Sequence, residues 1–229
     1  MLGIPKSEIF VDEFSKQKTF SEVLKLLNEK LEKYGEVNVL IAGASCSGKT
    51  ILANFLERKF LSTHIVTRIN QDWYLKDKKD MVRSVEGFYM PDSLFSYYDS
   101  EFVDDTKRLI NIGETLVPEY DFESKKRVSK TQLVKKGTIQ IFEGLHVIRL
   151  LEKLPNSVKV YLDTEEEICL SRKIKREFEK HKIFPSRTVI LWEDMTKPMF
   201  ERFIECQKKK TDVIVKTDKF GKMFLKMDE

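Results

Sequence analysis

The stretch Gly43-Ala44-Ser45-Cys46-Ser47-Gly48-Lys49-Thr50 matches the pattern G-x-x-x-x-G-K-[ST] and directly follows the apolar run 37–42. An apolar run before such a loop indicates a buried strand, and the residues after the loop continue with helical spacing. In this context the backbone N–H groups of the loop can surround the phosphates of a nucleotide, and the positive end of the helix dipole faces them. The stretch therefore predicts a nucleoside triphosphate site, with Lys49 on the β- and γ-phosphates and Thr50 on Mg²⁺.

The composition limits the classes of protein to consider. Of the 229 residues, 41% are hydrophobic and 34% are charged, and the net charge is +4. No apolar run approaches the roughly eighteen residues of a membrane helix, and the first residues do not form a signal peptide, so we expect a cytoplasmic protein with no membrane partner. The positive charge is spread over short runs and forms no single stripe, so we expect no nucleic-acid partner. The three widely spaced cysteines suggest neither a disulfide framework nor a zinc site.

The rest of the chain alternates short apolar runs with helical patterns. The apolar runs occupy residues 64–69, 138–142, 158–162 and 213–215. This alternation predicts an α/β fold with an open, mostly parallel sheet and helices on both faces. We divide the chain into an N-terminal extension with an amphipathic helix (1–35) and a phosphate-loop domain (36–229).

Residues 73–136 form an insertion of alternating polar and aromatic stretches within that domain. A helix is predicted at 99–112, and turns are predicted at Pro91, Gly113 and Pro118. No strand of the main sheet is predicted in this segment.

Two carboxylates follow or end predicted strands. Asp72 comes just after the second strand and Glu143 ends a later one, so both are expected at the sheet edge where ligands of α/β proteins bind. Asp72 could accept the proton of an acceptor hydroxyl, and Glu143 could order Mg²⁺ directly or through water. Each could instead be a helix cap or an exposed turn residue.

A basic helical stretch covers residues 171–182 and places Arg172 and Arg176 on one face. It could be a solvated helix with charge pairs four residues apart. Because residues 183–187 interrupt the helical pattern, the region 176–187 also suits a basic lid that closes over a nucleotide.

An ordered set of short motifs resembles the uridine kinase and phosphoribulokinase group of P-loop kinases over residues 36–217. Besides the loop, the motifs are Gln71-Asp72-Trp73-Tyr74, Phe88-Tyr89-Met90-Pro91-Asp92, Val117-Pro118-Glu119-Tyr120-Asp121-Phe122, Phe142-Glu143-Gly144, Asp163-Thr164, Leu170-Ser171-Arg172-Lys173 and Lys209-Lys210-Thr211-Asp212-Val213-Ile214. The ordered set is far more specific than any single motif.

The resemblance implies a nucleoside-kinase type of P-loop fold that transfers phosphate from ATP to a sugar hydroxyl with the help of Mg²⁺. It implies Asp72 as the base, Lys49 on the phosphates, Glu143 near Mg²⁺, and Lys173 and Arg176 as phosphate contacts from the lid. The acceptor-binding residues that it implies, with Tyr120 and Phe122 lining the pocket, are Phe88, Tyr89, Asp92, Tyr120, Phe122, Lys125 and Arg127. Members of this family often form oligomers, so the resemblance implies that this chain could form a homo-oligomer.

The departures from the family pattern fall mainly on the acceptor side. Lys125 stands where uridine kinases offer a histidine to the base, and Tyr89 stands where they hold the ribose with an aspartate. The lid also reads Lys180-His181-Lys182 in place of an Arg-Gly-Arg turn. Lys125 could hydrogen-bond a pyrimidine while Asp92 takes the ribose role, it could attract an anionic acceptor together with Arg127, or it could be solvent-exposed.

Three functions remain open on the sequence. The first is a uridine or cytidine kinase. The second is the same reaction on another acceptor, such as nicotinamide riboside, a sugar phosphate or another anionic compound. The third is a catalytically silent nucleotide-binding regulatory protein, although the retention of Lys49, Thr50, Asp72 and Glu143 favours an enzyme. A guanine-specific switch protein is disfavoured because the sequence has no Asn-Lys-x-Asp motif.

Overall fold

The computed structural model describes residues 18–84, 87–217 and 223–225, with one layer of strands between two layers of helices. The helices are α1 (Lys18–Tyr34), α2 (Lys49–Phe60), α3 (Asp99–Ile112), α4 (Val147–Leu150), α5 (Glu166–His181) and α6 (Pro185–Leu191). The strands are β1 (Val37–Gly43), β2 (Val66–Asn70), β3 (Glu114–Asp121), β4 (Lys126–Lys135), β5 (Ile139–Glu143), β6 (Ser157–Thr164), β7 (Val213–Thr217) and β8 (Met223–Leu225).

The main sheet has the strand order β2-β5-β1-β6-β7-β8. The first five strands of this order are parallel, and β8 pairs antiparallel with β7. All seven residues of β1 are buried, as expected for a central parallel strand that is covered on both faces. The predicted open, mostly parallel sheet is therefore confirmed.

Helices cover both faces of this sheet, as predicted. On one face, α1 and α2 pack on alternate residues of the strands, with Val23, Leu27 and Leu56 fully buried. The amphipathic pattern of α1 is thus explained by its contact with the sheet. On the other face, α3, α4 and the β3–β4 hairpin cover Leu40 and Phe142. The N-terminal residues 1–17 of the predicted extension lie outside the described residues.

The insertion holds α3 at the predicted bounds and the antiparallel β3–β4 hairpin, which forms a separate two-stranded sheet. The absence of a main-sheet strand from the described part of 73–136 agrees with the prediction, but the hairpin was not predicted. The turn predicted at Pro118 is wrong, because Pro118 lies within β3, where the register shifts between Val117 and Glu119. An irregularity of this kind accommodates a residue that has no N–H to donate.

The region predicted as a lid contains the end of α5 and the start of α6. Lys182 ends α5 in a left-handed conformation, with φ of 56°, and α6 begins at Pro185. The chain then continues through π-helical turns (Trp192–Thr196 and Phe200–Ile204), with a short α-helical piece (Lys197–Met199) between them, and ends in a 3₁₀ turn (Glu205–Lys210). None of the helices in the described ranges is long and apolar enough to cross a membrane.

Candidate active site

The phosphate loop connects β1 to α2 and depends on two glycines. Gly43 has φ of 153°, and a Cβ there would lie 2.6 Å from the carbonyl oxygen of Leu162. Gly48 has φ of 109° and caps the N-terminus of α2, a backbone conformation that favours glycine. The loop therefore has the strand–loop–helix geometry that its sequence predicts, with the start of α2 at its base.

Side chains from several elements hold the carbonyl groups of this loop. Lys49 Nζ donates to the carbonyl oxygens of Gly43 at 3.1 Å and Ala44 at 2.7 Å. Arg172, from α5, donates to the carbonyl oxygens of Cys46 at 3.3 Å and Ser47 at 3.4 Å. Two cationic side chains are thus already concentrated at the loop, where anionic phosphates would bind.

Glu143 ends β5 next to the start of α2, and its carboxylate is buried. Thr50 Oγ1 donates to Glu143 Oε2 at 2.9 Å, and Asn70 Nδ2 donates to Oε1 at 3.3 Å. Arg68 of β2 forms an ion pair with the same carboxylate, and this pairing offsets the cost of burying its charge.

The oxygens of Thr50 and Glu143 suit Mg²⁺, which prefers oxygen ligands and is usually bound by one or two protein groups together with substrate phosphates and water. Within the described ranges, no group of three or more His, Cys, Asp or Glu side chains could hold a metal ion. A metal at this site would therefore take part of its coordination from the nucleotide and from water.

Asp72 lies in a 3₁₀ turn that follows β2 directly, and it is half-buried. Its backbone N–H donates to Asn70 Oδ1 at 2.8 Å, and Tyr97 Oη donates to its Oδ1 at 3.2 Å. Burial raises the pKa of Asp72 and the charges of Glu143 and Asp92 add to the increase, while Lys49 and the Tyr97 hydrogen bond oppose it. Asn70 thus links the turn that carries Asp72 to Glu143 at the neighbouring ends of β2 and β5.

Asp92 in the insertion forms an ion pair with Lys173 on α5. The Lys173 Nζ to Asp92 Oδ2 distance is 2.6 Å, and Thr196 Oγ1 donates to the same oxygen at 3.1 Å. Burial alone would raise the pKa of Asp92, but Lys173 and, more weakly, Arg176 hold it below its usual value. The carboxylate expected near the acceptor and the lysine expected on a phosphate are therefore each other's nearest charged partners.

The lid arginine Arg176 is exposed and pairs with Glu177 at 3.3 Å. Arg172, one helical turn earlier, contacts the phosphate loop directly, as described above. The two arginines share a face of α5, but among the described residues Arg172 contacts the loop backbone and Arg176 contacts Glu177. The role of Arg176 on the transferred phosphate stays a prediction.

The aromatic residues predicted for the acceptor site lie on the insertion. Tyr120 is buried and makes an edge-to-face contact with Phe122, which is 53% exposed, at a centroid distance of 5.1 Å. The Phe88 ring lies 5.1 Å from the guanidinium of Arg187, near the start of α6. Arg83 donates to the Tyr89 hydroxyl at 2.6 Å.

Lys125 and Arg127, predicted as a pair of cations, have different surroundings. Arg127 forms an ion pair with Glu101 at 2.7 Å and lies over the Tyr98 ring. Lys125, in the β3–β4 turn, lines a pocket of about 390 Å³ that Arg127 does not line. The expectation that Arg127 acts together with Lys125 is thus not supported by the contacts of Arg127.

Several residues around the site were not predicted from the sequence. Arg68 and Asn70 both contact Glu143. They are two residues apart on edge strand β2, on either side of buried Ile69, and this spacing indicates that they share a face of the strand. Tyr97, which contacts Asp72, had no comparable signal because it comes from the distant insertion.

His146 is a further residue that was not predicted. It is fully buried and makes an edge-to-face contact with Tyr97 at a centroid distance of 5.9 Å. Burial lowers the pKa of His146 to about 3, with Arg149 contributing, so its imidazole is neutral. Neither ring nitrogen has a hydrogen-bond partner among the described residues.

Comparisons with known proteins agree with this geometry. The family model described as "Phosphoribulokinase / Uridine kinase family" matches residues 39–220. Proteins named uridine kinase from Clostridium botulinum and Staphylococcus aureus are each 30% identical to the chain, and each match covers 76% of it. The matches cover 85% of the C. botulinum protein and 84% of the S. aureus protein.

Solved structures share the fold at lower sequence identity. D-glycerate 3-kinase from Cryptococcus neoformans superposes with a TM-score of 0.60 at 11% identity, covering 89% of this chain and 96% of that one. Phosphoribulokinase from Rhodobacter spheroides gives a TM-score of 0.51 at 13% identity, covering 80% of this chain and 72% of that one. The chain therefore belongs to the phosphoribulokinase / uridine kinase family, and it is a phosphotransferase with an alcohol group as acceptor.

Proposed function

We propose that this chain transfers the γ-phosphoryl group of ATP to a sugar hydroxyl, with Asp72 as the general base. The observation that carries the proposal is the position of Asp72: its N–H donates to Asn70, and Asn70 in turn donates to Glu143 beside the phosphate loop. Burial raises the pKa of Asp72. A carboxylate with a raised pKa is a better proton acceptor near neutral pH than an ordinary aspartate. A regulatory nucleotide-binding protein would not need this residue beside its phosphate loop.

In the proposed reaction, Lys49 exchanges its two carbonyl partners for phosphate oxygens, and the loop N–H groups bind the same phosphates. Thr50 and Glu143 would hold Mg²⁺, which when bound would supply positive charge next to the nucleotide phosphates. The Asp72 carboxylate accepts the hydroxyl proton while the acceptor oxygen bonds to the γ-phosphorus. The bond from that phosphorus to the bridging oxygen breaks, and its electron pair leaves on ADP.

Arg172 already contacts the loop, and Arg176 lies one turn further along the same helix. We infer that α5 supplies positive charge over the transferred group, with Arg176 completing the site when the lid region closes. Lys173 would reach a phosphate only by leaving Asp92, so its first role is to hold the insertion against α5. We also propose that the protein is cytoplasmic and that the phosphoryl acceptor is a small molecule.

A nucleoside such as uridine or cytidine is the first acceptor to test, because the relatives named uridine kinase match three quarters of the chain. A second class, an anionic acceptor, is favoured by one observation: the pocket at Lys125 is also lined by Lys78, Lys79 and Lys126. Tyr120 and Phe122 would line the route between this pocket and Asp72.

The test is a coupled ADP-release assay with uridine, cytidine, nicotinamide riboside, ribulose 5-phosphate and pantothenate as acceptors. Asp72→Asn should lower kcat by at least a hundredfold with little change in ATP affinity, since general-base catalysis contributes about 10²–10⁴-fold. Asp104→Asn, at an exposed position of α3, is the matched control. Equal turnover by wild type and Asp72→Asn would remove Asp72 from the base role.

A further inference from the structure

A pocket of about 390 Å³ lies where the β3–β4 turn meets the 3₁₀ turn Lys78–Asp80. Its volume falls within the range typical of small-molecule sites. Besides Ser124 and Tyr89, the lining consists of charged side chains: Asp77, Lys78, Lys79, Lys125 and Lys126. Four lysines and one aspartate thus line the pocket.

The single aspartate of the lining, Asp77, leaves an excess of positive charge in this pocket. Within the described part of the chain, none of the four lysines has a carboxylate within ion-pair distance. Other lysines of the fold do have such partners, for example Lys173 with Asp92 and Lys208 with Asp163 at 2.7 Å. Lysines that outnumber the acids around a concave site attract an anion.

The backbone fixes the two walls of the pocket against each other. The N–H of Lys78 donates to the carbonyl oxygen of Lys125 at 3.0 Å, and the N–H of Arg127 donates to Asp77 Oδ1 at 2.8 Å. Lys125 also has φ of 54°, a conformation that non-glycine residues adopt rarely. These contacts hold the two lysine-bearing turns next to each other.

Tyr89 forms an aromatic wall of the pocket. The Lys78 ammonium lies 4.9 Å from the centre of its ring, and the Arg83 guanidinium lies 4.2 Å from it. A carboxylate at position 89 would be attracted to these cations and would cancel part of their charge. The phenol leaves the charge available to a ligand.

The pocket is close to the proposed base. Tyr120, in β3, pairs with Arg127 in β4, whose N–H donates to the pocket residue Asp77. The same strand β3 packs against the 3₁₀ turn Gln71–Tyr74, which carries Asp72. Asp77 follows Asp72 by five positions in the chain, which limits their Cα distance to about 18 Å. One extended ligand could therefore contact both places.

We propose that this lysine pocket binds an anionic group of the phosphoryl acceptor, so that the acceptor is a hydroxyl compound carrying a phosphate monoester or a carboxylate. The inference rests on the proposed kinase function and narrows its substrate class. The reacting hydroxyl lies at Asp72 and the anionic group at Lys78, Lys79, Lys125 and Lys126. The proton and phosphoryl group move as in the reaction described above.

The first experiment measures anion binding without catalysis. Inorganic phosphate and acetate are titrated separately into the protein at constant ionic strength, with a non-hydrolysable ATP analogue and Mg²⁺ occupying the phosphate loop. We expect phosphate, acetate or both to bind, and the double variant Lys79→Gln/Lys125→Gln to weaken that binding at least tenfold. The control Lys59→Gln/Lys107→Gln makes the same charge change at exposed helix positions and should bind as wild type does. The thermal midpoints of both variants verify folding.

The second experiment compares acceptor pairs that differ by one anionic group, ribulose 5-phosphate with ribulose and glycerate with glycerol, alongside uridine and cytidine. We expect the highest kcat/KM on an anionic member and competitive inhibition by the bound anion. The pocket variant should raise the KM of that acceptor at least tenfold and change the KM of ATP less than twofold. The two pairs separate a phosphate preference from a carboxylate preference.

Two results would overturn the inference while leaving the kinase function intact: highest turnover on uridine or cytidine with no effect of the pocket variant, or anion inhibition that is not competitive with the acceptor. If no acceptor is turned over, the proposed function fails on this panel. The anion titration then decides the pocket separately, and equal binding by wild type and pocket variant refutes it.

Discussion

The hydrogen bond from Tyr97 to Asp72 gives a direct test of how the base is tuned. Tyr97 is buried, and its hydroxyl donates to Asp72 Oδ1 at 3.2 Å. This bond stabilises the carboxylate and opposes the effect of burial on the pKa of Asp72. Tyr97→Phe removes the bond and keeps the ring that packs on His146.

The size of the effect follows from the geometry. A hydrogen bond to a charged group contributes about 1.5–3 kcal/mol, and a donor–acceptor distance of 3.2 Å favours the lower end of that range. One pKa unit corresponds to about 1.36 kcal/mol, so a loss of about 1.5 kcal/mol corresponds to a change of about one unit in the pKa. Because the lost bond favoured the charged form, the pKa of Asp72 rises further. The acid limb of kcat/KM should therefore move about one unit to higher pH.

The assay is the pH profile of kcat/KM for the acceptor that the ADP-release panel identifies, since this parameter reports ionisations of the free enzyme. Tyr98→Phe is the matched control, because it removes a neighbouring hydroxyl from a ring that lies on Arg127. An acid limb that stays in place in Tyr97→Phe, or moves to lower pH, would refute either the base role of Asp72 or the tuning by Tyr97.

Two further predictions concern the cations and acids around the loop. Lys49→Met should weaken ATP binding and lower kcat, each at least tenfold, whereas Lys59→Met near the end of the same helix should change neither; normal ATP binding and turnover in Lys49→Met would contradict the phosphate-loop assignment. Asp92→Asn breaks a pair whose side chains are only 15% and 10% exposed, so urea unfolding at pH 7 should show a loss of about 3 kcal/mol. Because the folded-state pKa of Asp92 is lowered, its stabilisation is present above the unfolded pKa and is lost as pH falls through the folded pKa. A variant that remains equally destabilised below that range would contradict the ion-pair explanation.

The main sheet could be predicted because its strands are nearly continuous apolar runs, as buried parallel strands usually are. The β3–β4 hairpin could not be predicted, because the residues that are buried in it are not the ones that their hydrophobicity would select. In β3, polar Thr115 is buried while Leu116 is 47% exposed, and Pro118 looks like a turn signal within the strand. The packing of β3 against α3 and against the 3₁₀ turn Gln71–Tyr74 decides which of its residues are buried, and it overrides the local sequence preference.

The site was predictable where the chemistry is local in sequence. The loop motif predicted the placement of Lys49 and Thr50, and the rule for strand ends predicted that of Asp72 and Glu143; the structure places them at one edge of the sheet, and their roles stay predictions. The contacts that tune these residues come from other elements, such as Tyr97 on Asp72. No spacing in the sequence indicates such pairs, because the partners meet only when the insertion packs on the sheet.

The strand order also has a consequence for how the chain folds. The phosphate loop follows β1, but the partners of β1 come much later in the sequence: Val37 pairs with Ile139, and Asn38 pairs with Ser157. Closing such long loops is an entropic cost that must be met before the contacts form, and it slows folding. During synthesis, therefore, the nucleotide-binding loop emerges early but gains its supporting strands only after β5 and β6 have been made. Fragments that end before β6 should lack an ordered loop, even though they contain every residue of its motif.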